Sequence, residues 1–488
     1  MSDFPNSWVL LPVSDAVRNI AITDKKIPQK SYLPSGYFPI FDQGQEYVGG
    51  YTNDAEKVVD CQLPVIVFGD HTRAIKYVKT PFAPGADGVK ILQPLGFFSP
   101  SLFAYFVTHL VTKIPNNGYA RHYQHLTKSL IPVPPENEQH RIVAKIEELF
   151  SELDKGVDSL KTAREQLKVY RQALLKHAFE GKLTAQWRAE NSDKLETATA
   201  LQQRIQTERQ ERRHQQLTDW EAKGKQGSKP KAPKPLPPLS AEELAELPEL
   251  PAGWVWIRLG NANVDVSDGP FGSNLKSSDY VENGVRVIRL ENIGPLEFVE
   301  SKKSYVSEAK YELLKNHTVA TGDIVFSSFI TENIRVALLP SNIEKAINKA
   351  DCFCIRLHGV TLSNIFTVMF LSTRRVFKQL EDQIHGVGRP RINTTQLKEV
   401  VVPVCCPEEQ QVLIVEVESK LSEADQLDQT LATALQQSAA LRQSILKKAF
   451  CGQLVKQDKN DEPASVLLER IRAEKLNGMK PGKLEKSS

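Results

Sequence analysis

Apolar and small residues recur in alternating steps of four and three along one stretch of this chain: Ile142, Ile146, Leu149, Leu153, Gly156, Leu160, Ala163, Leu167, Tyr170 and Leu174. Such a heptad seam, sustained over more than four heptads, predicts a coiled-coil helix. A second seam runs through Leu413, Val417, Lys420, Ala424, Leu427, Leu431, Ala434, Ser438, Leu441 and Ile445, at a constant offset of 271. Over residues 132–183 and 403–454, roughly 20 of about 52 positions are identical without a gap. Glu136 and Glu138 fall in the first turn of the first helix, where carboxylates favour the positive end of its dipole, and Gly181 suits its C-terminal cap. A helix of ~40–45 residues is roughly 60–68 Å long. With one apolar face, each copy is best buried by the other, so an antiparallel pair is expected. The competing arrangement docks each helix separately on its own domain. Gly156 aligns with Leu427, so bulk absent from one seam is expected from the other.

Ahead of each helix lies a segment with a different pattern. Residues 1–131 and 251–402 share only their lead-ins, Phe4-Pro5-x-x-Trp8 and Leu250-Pro251-x-x-Trp254, and their β-like exits into Pro-Val. Inside, both alternate short apolar runs, such as Val65 to Phe68 and Val285 to Leu290, with Gly/Asn/Asp/Pro-rich turns, a mixed α/β pattern. Short helices fit residues 101–112 and 363–380. The fold class is therefore α+β: two mixed α/β domains separated by a pair of long coiled-coil helices with internal duplication. The expected boundaries are 1–135 and 251–406 for the domains, 136–183 and 407–454 for the helices, 184–250 for a connector and 455–488 for a C-terminal helix and tail. The connector has a charged helical run from Leu201 to Arg213, then a Pro/Lys/Gly-rich stretch expected to be flexible or extended. Leu201 to Ile205 is echoed by Leu467 to Ile471, and residues 475–488 are expected to be disordered.

Composition is that of a soluble globular protein: 41% hydrophobic and 25% charged in 488 residues. No apolar run approaches a membrane span, and the start lacks a signal-peptide pattern. Six irregularly spaced cysteines do not make a disulfide framework, which points to a reducing cytoplasm. A net charge of +3 neither demands nor excludes nucleic acid, because binding needs only a local basic surface.

Catalytic signatures are missing. There is no P-loop and no G-x-G-x-x-G behind a strand. No Asn-Pro-Pro-aromatic or Asp-Pro-Pro-aromatic tetrapeptide marks an amino-group methyltransferase. Cys352-x-Cys354 with His358 lacks a second ligand pair, so cysteines in a buried strand are expected rather than zinc. Gly69-Asp-His-Thr-Arg73 reads as a polar loop after a buried strand. A binding protein is expected rather than an enzyme.

Two unlike segments, each followed by a copy of one helical repeat, resemble the specificity (S) subunit of type I restriction–modification systems. The run from Ala178-Phe179 through Gly181 to Asn191, the P-x-x-W lead-ins, Asp268-Gly-Pro-Phe-Gly272-Ser-Asn274 and Gly322-Asp-Ile-Val325 carry the resemblance. It implies that each variable segment is a target recognition domain reading one half of a split, asymmetric sequence in double-stranded DNA. The paired helices would set the spacer and dock two modification (methyltransferase) subunits. Restriction subunits, ATP-dependent translocases and nucleases, would join them in defence against foreign DNA. No cofactor is expected in this chain; S-adenosylmethionine, ATP and Mg²⁺ would belong to the partners. A bacterial or archaeal cytoplasm, associated with the nucleoid, is the implied location.

Arginine can bond bidentately to guanine and asparagine to adenine, while lysine mostly holds phosphate. On that chemistry the DNA-contact candidates in the first segment are Arg73, Lys76, Tyr119, Arg121 and His122. In the second they are Asn274, Lys276, Arg289, Asn292, Arg335, Arg389 and Arg391. For each, a solvated surface charge is the competing reading, and for Arg289 a structural role in its strand. Phe97, Phe98 and Phe271 are expected in the core. Connector residues Arg204, Arg209, Arg212 and Arg213 read as a solvated helix face. A scaffold whose coiled coil binds only protein, and a nuclease fused to recognition domains, are the alternatives.

Overall fold

The computed structural model describes residues 4–115, 121–230, 232, 234–331, 333–384 and 390–478. The chain divides into two compact units: Met1–Thr162 with Thr430–Ser488, and Ala163–Gln429. Each contains one mixed domain, the first half of the long helix that follows it, and the last half of the other.

The first domain is built from β1 (Val9–Pro12), β2 (Val17–Ile20), β3 (Phe38–Phe41), β4 (Gly50–Thr52), β5 (Val65–Gly69), β6 (Ile75–Val78), β7 (Ala83–Pro84), β8 (Val89–Pro94) and β9 (Leu130–Val133). An antiparallel sheet has the order β2-β8-β5-β6, a second sheet β4-β3-β7, and β1 pairs β9. In the second sheet β3 and β7 run parallel. Every residue of β5 is buried, so it reads as a continuous apolar run rather than an alternation.

The second domain uses β10 (Val255–Arg258), β11 (Val264–Ser267), β12 (Tyr280–Val281), β13 (Val285–Ile288), β14 (Ser304–Val306), β15 (Thr318–Val319), β16 (Ile324–Ser327), β17 (Val336–Leu338), β18 (Ala346–Asn348), β19 (Cys352–Leu357) and β20 (Val401–Val404). Its sheets are β11-β19-β16-β17, β12-β14-β13-β18-β15 and β10-β20. Strand for strand this is the first topology again, including the parallel pair β13–β18, with β12 and β15 added as edges. The two segments share far more than the lead-ins and exits their sequences have in common. Cys352 and Cys354 sit on the same face of buried β19, and burial pushes both thiols well up.

The helices after these sheets differ. The first domain has one unbroken helix, Pro100–Lys113. The stretch 363–380 of the second splits into Asn364–Leu371 and Arg374–Glu381, because the chain turns at Ser372 and Thr373, whose hydroxyls bond back to Met369 and Phe370.

Both long helices span 44 residues, Glu136–Phe179 and Pro407–Phe450. Within each unit their halves pair antiparallel. In the second unit Arg164 Nε meets Asp428 Oδ1 at 2.8 Å and Arg171 Nη2 meets Asp425 Oδ1 at 2.7 Å, so one number rises as the other falls. In the first unit Arg442 pairs with Asp154, the repeat equivalents of Arg171 and Asp425. The seam departs from the expected register at four places. Gly156, Tyr170, Leu427 and Leu441 are exposed, and nothing lies within 4 Å of a side chain built on Gly156. Leu427 therefore does not compensate for Gly156; the inward positions there belong to Val157 and Asp428, and Arg171 and Arg442 take the places beside Tyr170 and Leu441. A seam with Arg–Asp pairs shifts the buried stripe by one residue at those turns.

The duplication extends to internal polar contacts. Gln139, buried in the first turn of its helix, accepts from Ser99 N–H at 2.6 Å and donates to the carbonyls of Phe97 and Pro134. Gln410 does the same with Ser363 N–H at 2.9 Å and the carbonyls of Thr361 and Cys405. Beside them, Glu138 accepts from the Trp8 indole at 2.9 Å, and its buried carboxyl is raised by desolvation. Glu409 takes Thr184 Oγ1 at 2.6 Å and the Arg188 guanidinium. At the helix ends, Gly181 and Gly452 hold φ +70° and +71°. A Cβ there would lie 2.5 Å from Pro251 Cγ in one unit and 2.6 Å from Pro5 Cγ in the other, so both the left-handed cap and the close approach of the lead-in require glycine.

The connector helix spans Ala198–Ala222 and buries Leu201 and Ile205 on the second domain. The end of the Pro-rich stretch is docked rather than free: Leu236 exchanges two hydrogen bonds with the Asn261 amide, and Leu239 packs on the core. The echo segment forms a helix, Ala464–Gly478, with Leu467 and Leu468 in the first unit's core. Residues 475–478 are thus helical, and 479–488 lie outside the described residues.

Candidate nucleic-acid interface

In the second domain one surface gathers residues from five separated stretches. The loop after β11 is fixed by Asp268, whose Oδ1 accepts from Gly269 N–H at 2.7 Å and Asp351 N–H at 3.0 Å. Burial, followed by the charge of Asp351, raises the Asp268 carboxyl to about 6. Gly269 lies against the Lys349 backbone, where a Cβ would come within 2.2 Å of a carbonyl carbon. This seats the loop on the Lys349–Asp351 turn and leaves Phe271, Asn274 and Lys276 exposed. Phe271 is 57% exposed, not in the core as its apolar character predicts.

From that turn the contacts continue. Asp351 Oδ1 accepts from Ser328 Oγ at 3.1 Å and faces Arg391 Nη1 at 3.4 Å, and the Arg391 guanidinium lies over Phe329. The Tyr280 ring sits between Arg289 and Lys349, at 5.8 and 5.6 Å from their cationic groups. Arg335 spends its donors on Leu290 O and Ser327 Oγ, which fixes its direction and leaves it half-buried. Arg289 also reaches Ser304 Oγ and Glu291. Asn292 is different: it is fully buried, and its amide bonds Arg289 N–H and the carbonyls of Val299 and Ser301. That is a turn-forming role with no edge left for a base. Arg389 lies outside the described residues.

In the first domain Asp70, Arg73, Arg121 and His122 come together around the loop after β5. His122 N–H donates to Asp70 O, its ring Nδ1 lies 2.9 Å from the same oxygen, and the ring is buried. Asp70 Oδ1 takes Tyr123 N–H at 2.8 Å. Arg73, at φ +62°, donates to Ile114 O at 2.9 Å. Lys76 is only 2% exposed and its ammonium meets Asp42 at 3.2 Å, so it is a buried ion pair with no surface to offer a phosphate. Asp42 also acts on Tyr32, whose hydroxyl is pushed up to about 12 by burial and then by that charge. Arg121 is exposed, and Tyr119 lies outside the described residues.

Sequence reasoning missed Lys349, Tyr280 and Phe329 in the second domain, and the exposed Tyr37 and Tyr47 in the first. Lys349 and Asp351 had a usable signal: a polar Asn-Lys-Ala-Asp turn between two apolar strands. The surface supplies cations, an exposed ring and amide groups. It can hold phosphates and stack on or bond to bases. Among the described residues, no helix is long and apolar enough to cross a membrane, and no group of three or more His, Cys, Asp or Glu is placed to hold a metal.

Comparison with known proteins agrees with this reading of the fold. No protein-family profile matches the chain. It is 35% identical over 117 residues to the type I restriction enzyme EcoDI specificity subunit of Escherichia coli, a match covering 22% of this chain and 26% of the relative. It is 53% identical over 57 residues to the EcoAI specificity subunit of the same species, covering 12% and 10%. These matches span about a quarter or less of the curated relatives' length. A chain solved in work on complex assembly and conformational transition of the type I R-M system superposes over 92% of this chain and 99% of its own, with a TM-score of 0.60 at 17% identity. Over short stretches the chain is thus similar in sequence to specificity subunits of type I restriction enzymes, and its fold is similar to that of a chain from a type I R-M system.

Proposed function

We propose that the chain is the DNA sequence-recognition subunit of a type I restriction–modification complex and has no catalytic activity of its own. One observation carries this: two domains of one topology present unlike loop residues, while the buried glutamine and the capping glycine that anchor each helix are duplicated. Each domain reads one half of a split, asymmetric target in double-stranded DNA. In the second, Asn274, Arg391 and the exposed part of Arg289 face base edges, and Lys276 and Lys349 hold phosphates. In the first, Arg121 is the exposed arginine among the candidates that the structure describes. The two 44-residue helices, roughly 66 Å long at 1.5 Å per residue, set the unread spacer between half-sites.

Two equivalent helix surfaces dock two modification subunits, which flip an adenine in each half-site for methylation. Restriction subunits complete the complex in the cytoplasm, at the nucleoid. S-adenosylmethionine, ATP and Mg²⁺ act in those partners. Mapping methylated adenines across the genome of cells carrying this chain with its partners tests the reading. A two-part asymmetric motif with a fixed gap is expected. One continuous or palindromic motif, or methylation by the purified chain alone, overturns it.

A further inference from the structure

We propose that the second domain binds a phosphate-type oxyanion at Arg286, in a pocket whose residues the proposed reading of DNA does not use. Arg286 lies on β13, opposite Tyr305 of β14 and Ala346 of β18. It is 8% exposed, and its Nη1 and Nη2 are both buried without a hydrogen-bond partner. A guanidinium is always charged and carries five donors, so an unpaired fork in a buried place is costly unless something accepts from it. The face of the Tyr305 ring, 5.7 Å away, attracts the charge but bonds neither terminal nitrogen.

A cavity of about 380 Å³ opens beside the side chain, and Lys303 and Lys345 stand on its wall. The carboxylates around it do not fill the need. Glu300 accepts from Asn342 Nδ2 at 3.2 Å and pairs with Lys303 at 3.7 Å, Glu308 takes Lys345, and Glu344 is exposed. An oxyanion with two oxygens for the fork and further oxygens for the two ammonium groups matches this donor set. The volume suits a phosphate group or a small phosphorylated molecule, not a helix or strand. Lys345 precedes β18 at the end opposite Arg289 and Lys349, whereas Lys303 precedes β14, whose Ser304 accepts from Arg289, so one wall of the pocket adjoins the nucleic-acid face. The terminal nitrogens are covered in this conformation, so binding entails a rotation of the side chain toward the cavity.

The inference does not rest on the proposed reading of DNA. Its test is thermal unfolding of the full chain, wild type and Arg286→Met, in inorganic phosphate and in chloride at matched ionic strength and pH. The wild-type midpoint is expected to rise saturably with phosphate beyond its value in chloride. Arg286→Met is expected to lose that rise, and to match or exceed the wild type in chloride, since a buried unpaired charge has gone. A wild type without a phosphate-specific rise, or a variant that keeps it, overturns the proposal. So does a lower midpoint of Arg286→Met in chloride, which would mean the guanidinium is already satisfied. Arg286→Lys keeps a charge without the fork, and at least a tenfold loss of phosphate affinity is expected; unchanged affinity also overturns it. A short duplex separates two sources. If it competes with phosphate in the wild type, a DNA backbone phosphate is the natural occupant; if both bind together, the occupant is a free phosphorylated molecule.

Discussion

The parallel pair β3–β7 of the first domain lies in a three-stranded sheet, and its counterpart β13–β18 lies in a five-stranded one. The second domain adds Tyr280–Val281 and Thr318–Val319 at the edges, with longer loops around them, and these carry the Tyr280, Arg289 and Lys349 cluster. In the first, two of the candidates turn inward, Lys76 on Asp42 and His122 on Asp70. Meanwhile Gln139 and Gln410, or Gly181 and Gly452, occupy the same environments almost atom for atom. What must fit the helices is held constant, and what faces outward is free to differ. One topology tolerates unlike sequences because a pleated sheet asks mainly for apolar alternation and turns.

The equivalence is most severely tested at the helix-end glycines. Gly181→Ala and Gly452→Ala each combine a left-handed backbone with an overlap onto a lead-in proline, and each is expected to cost about 3 kcal/mol in denaturant unfolding. A large loss for one and none for the other would break the comparison. Next come the buried amides. Gln139→Ala and Gln410→Ala each strand one N–H and two carbonyls, for a loss of about 2 kcal/mol. Unequal losses would mean that the two helices are anchored differently.

A third experiment looks for asymmetry. His109, 5% exposed against Phe450, has no partner for either ring nitrogen, and burial, with Lys113 and Lys447 adding to it, lowers its pKa to about 4. The matching position in the second domain, counted from Ser99 and Ser363, is Thr373. Between the unfolded pKa near 6.5 and about 4, the unfolded chain takes up a proton that the folded one refuses. The neutral histidine's stabilisation is thus complete above 6.5 and is lost as pH falls through that window. The first unit's unfolding midpoint should drop over this range, and His109→Leu should flatten the drop; an equal drop in the variant would exclude His109 as its source. The smallest effect is expected at Arg164–Asp428, a solvated pair whose repeat equivalents are Val157 and Leu435. Replacing Arg164 by Leu and Asp428 by Val should leave the denaturant midpoint nearly unchanged. A larger loss would show that the ion pair specifies the register of the helices.

The long helices and their pairing were legible because a heptad pattern repeated at a fixed offset leaves two apolar stripes of equal length that bury each other. Local faults in the seam were not, since a sequence does not show that Asp154 and Arg442 draw it one residue aside from Gly156 and Leu441. The shared topology of the domains was invisible: strands of two to six residues with different side chains leave no alignable trace. The site was half legible. Chemistry marked Arg289 and Arg391, which keep an outward part, but only packing shows that Lys76, His122, Asn292 and Arg335, of similar chemistry, are spent internally.

The first unit needs both ends of the chain: Gly452 closes on Pro5, Gln457 bonds Glu138, and Ala464 N–H meets Ser7 O at 3.0 Å. The second is complete once residue 429 has been made. On a ribosome adding ~5–20 residues per second, the first domain therefore waits roughly 13–53 s while residues 163–429 are made, and it is still open when the second unit becomes whole. Order of synthesis and order of completion are reversed. A chain cut short after residue 429 would keep a finished second unit and an open first one, a ready substrate for proteases that patrol unfinished proteins.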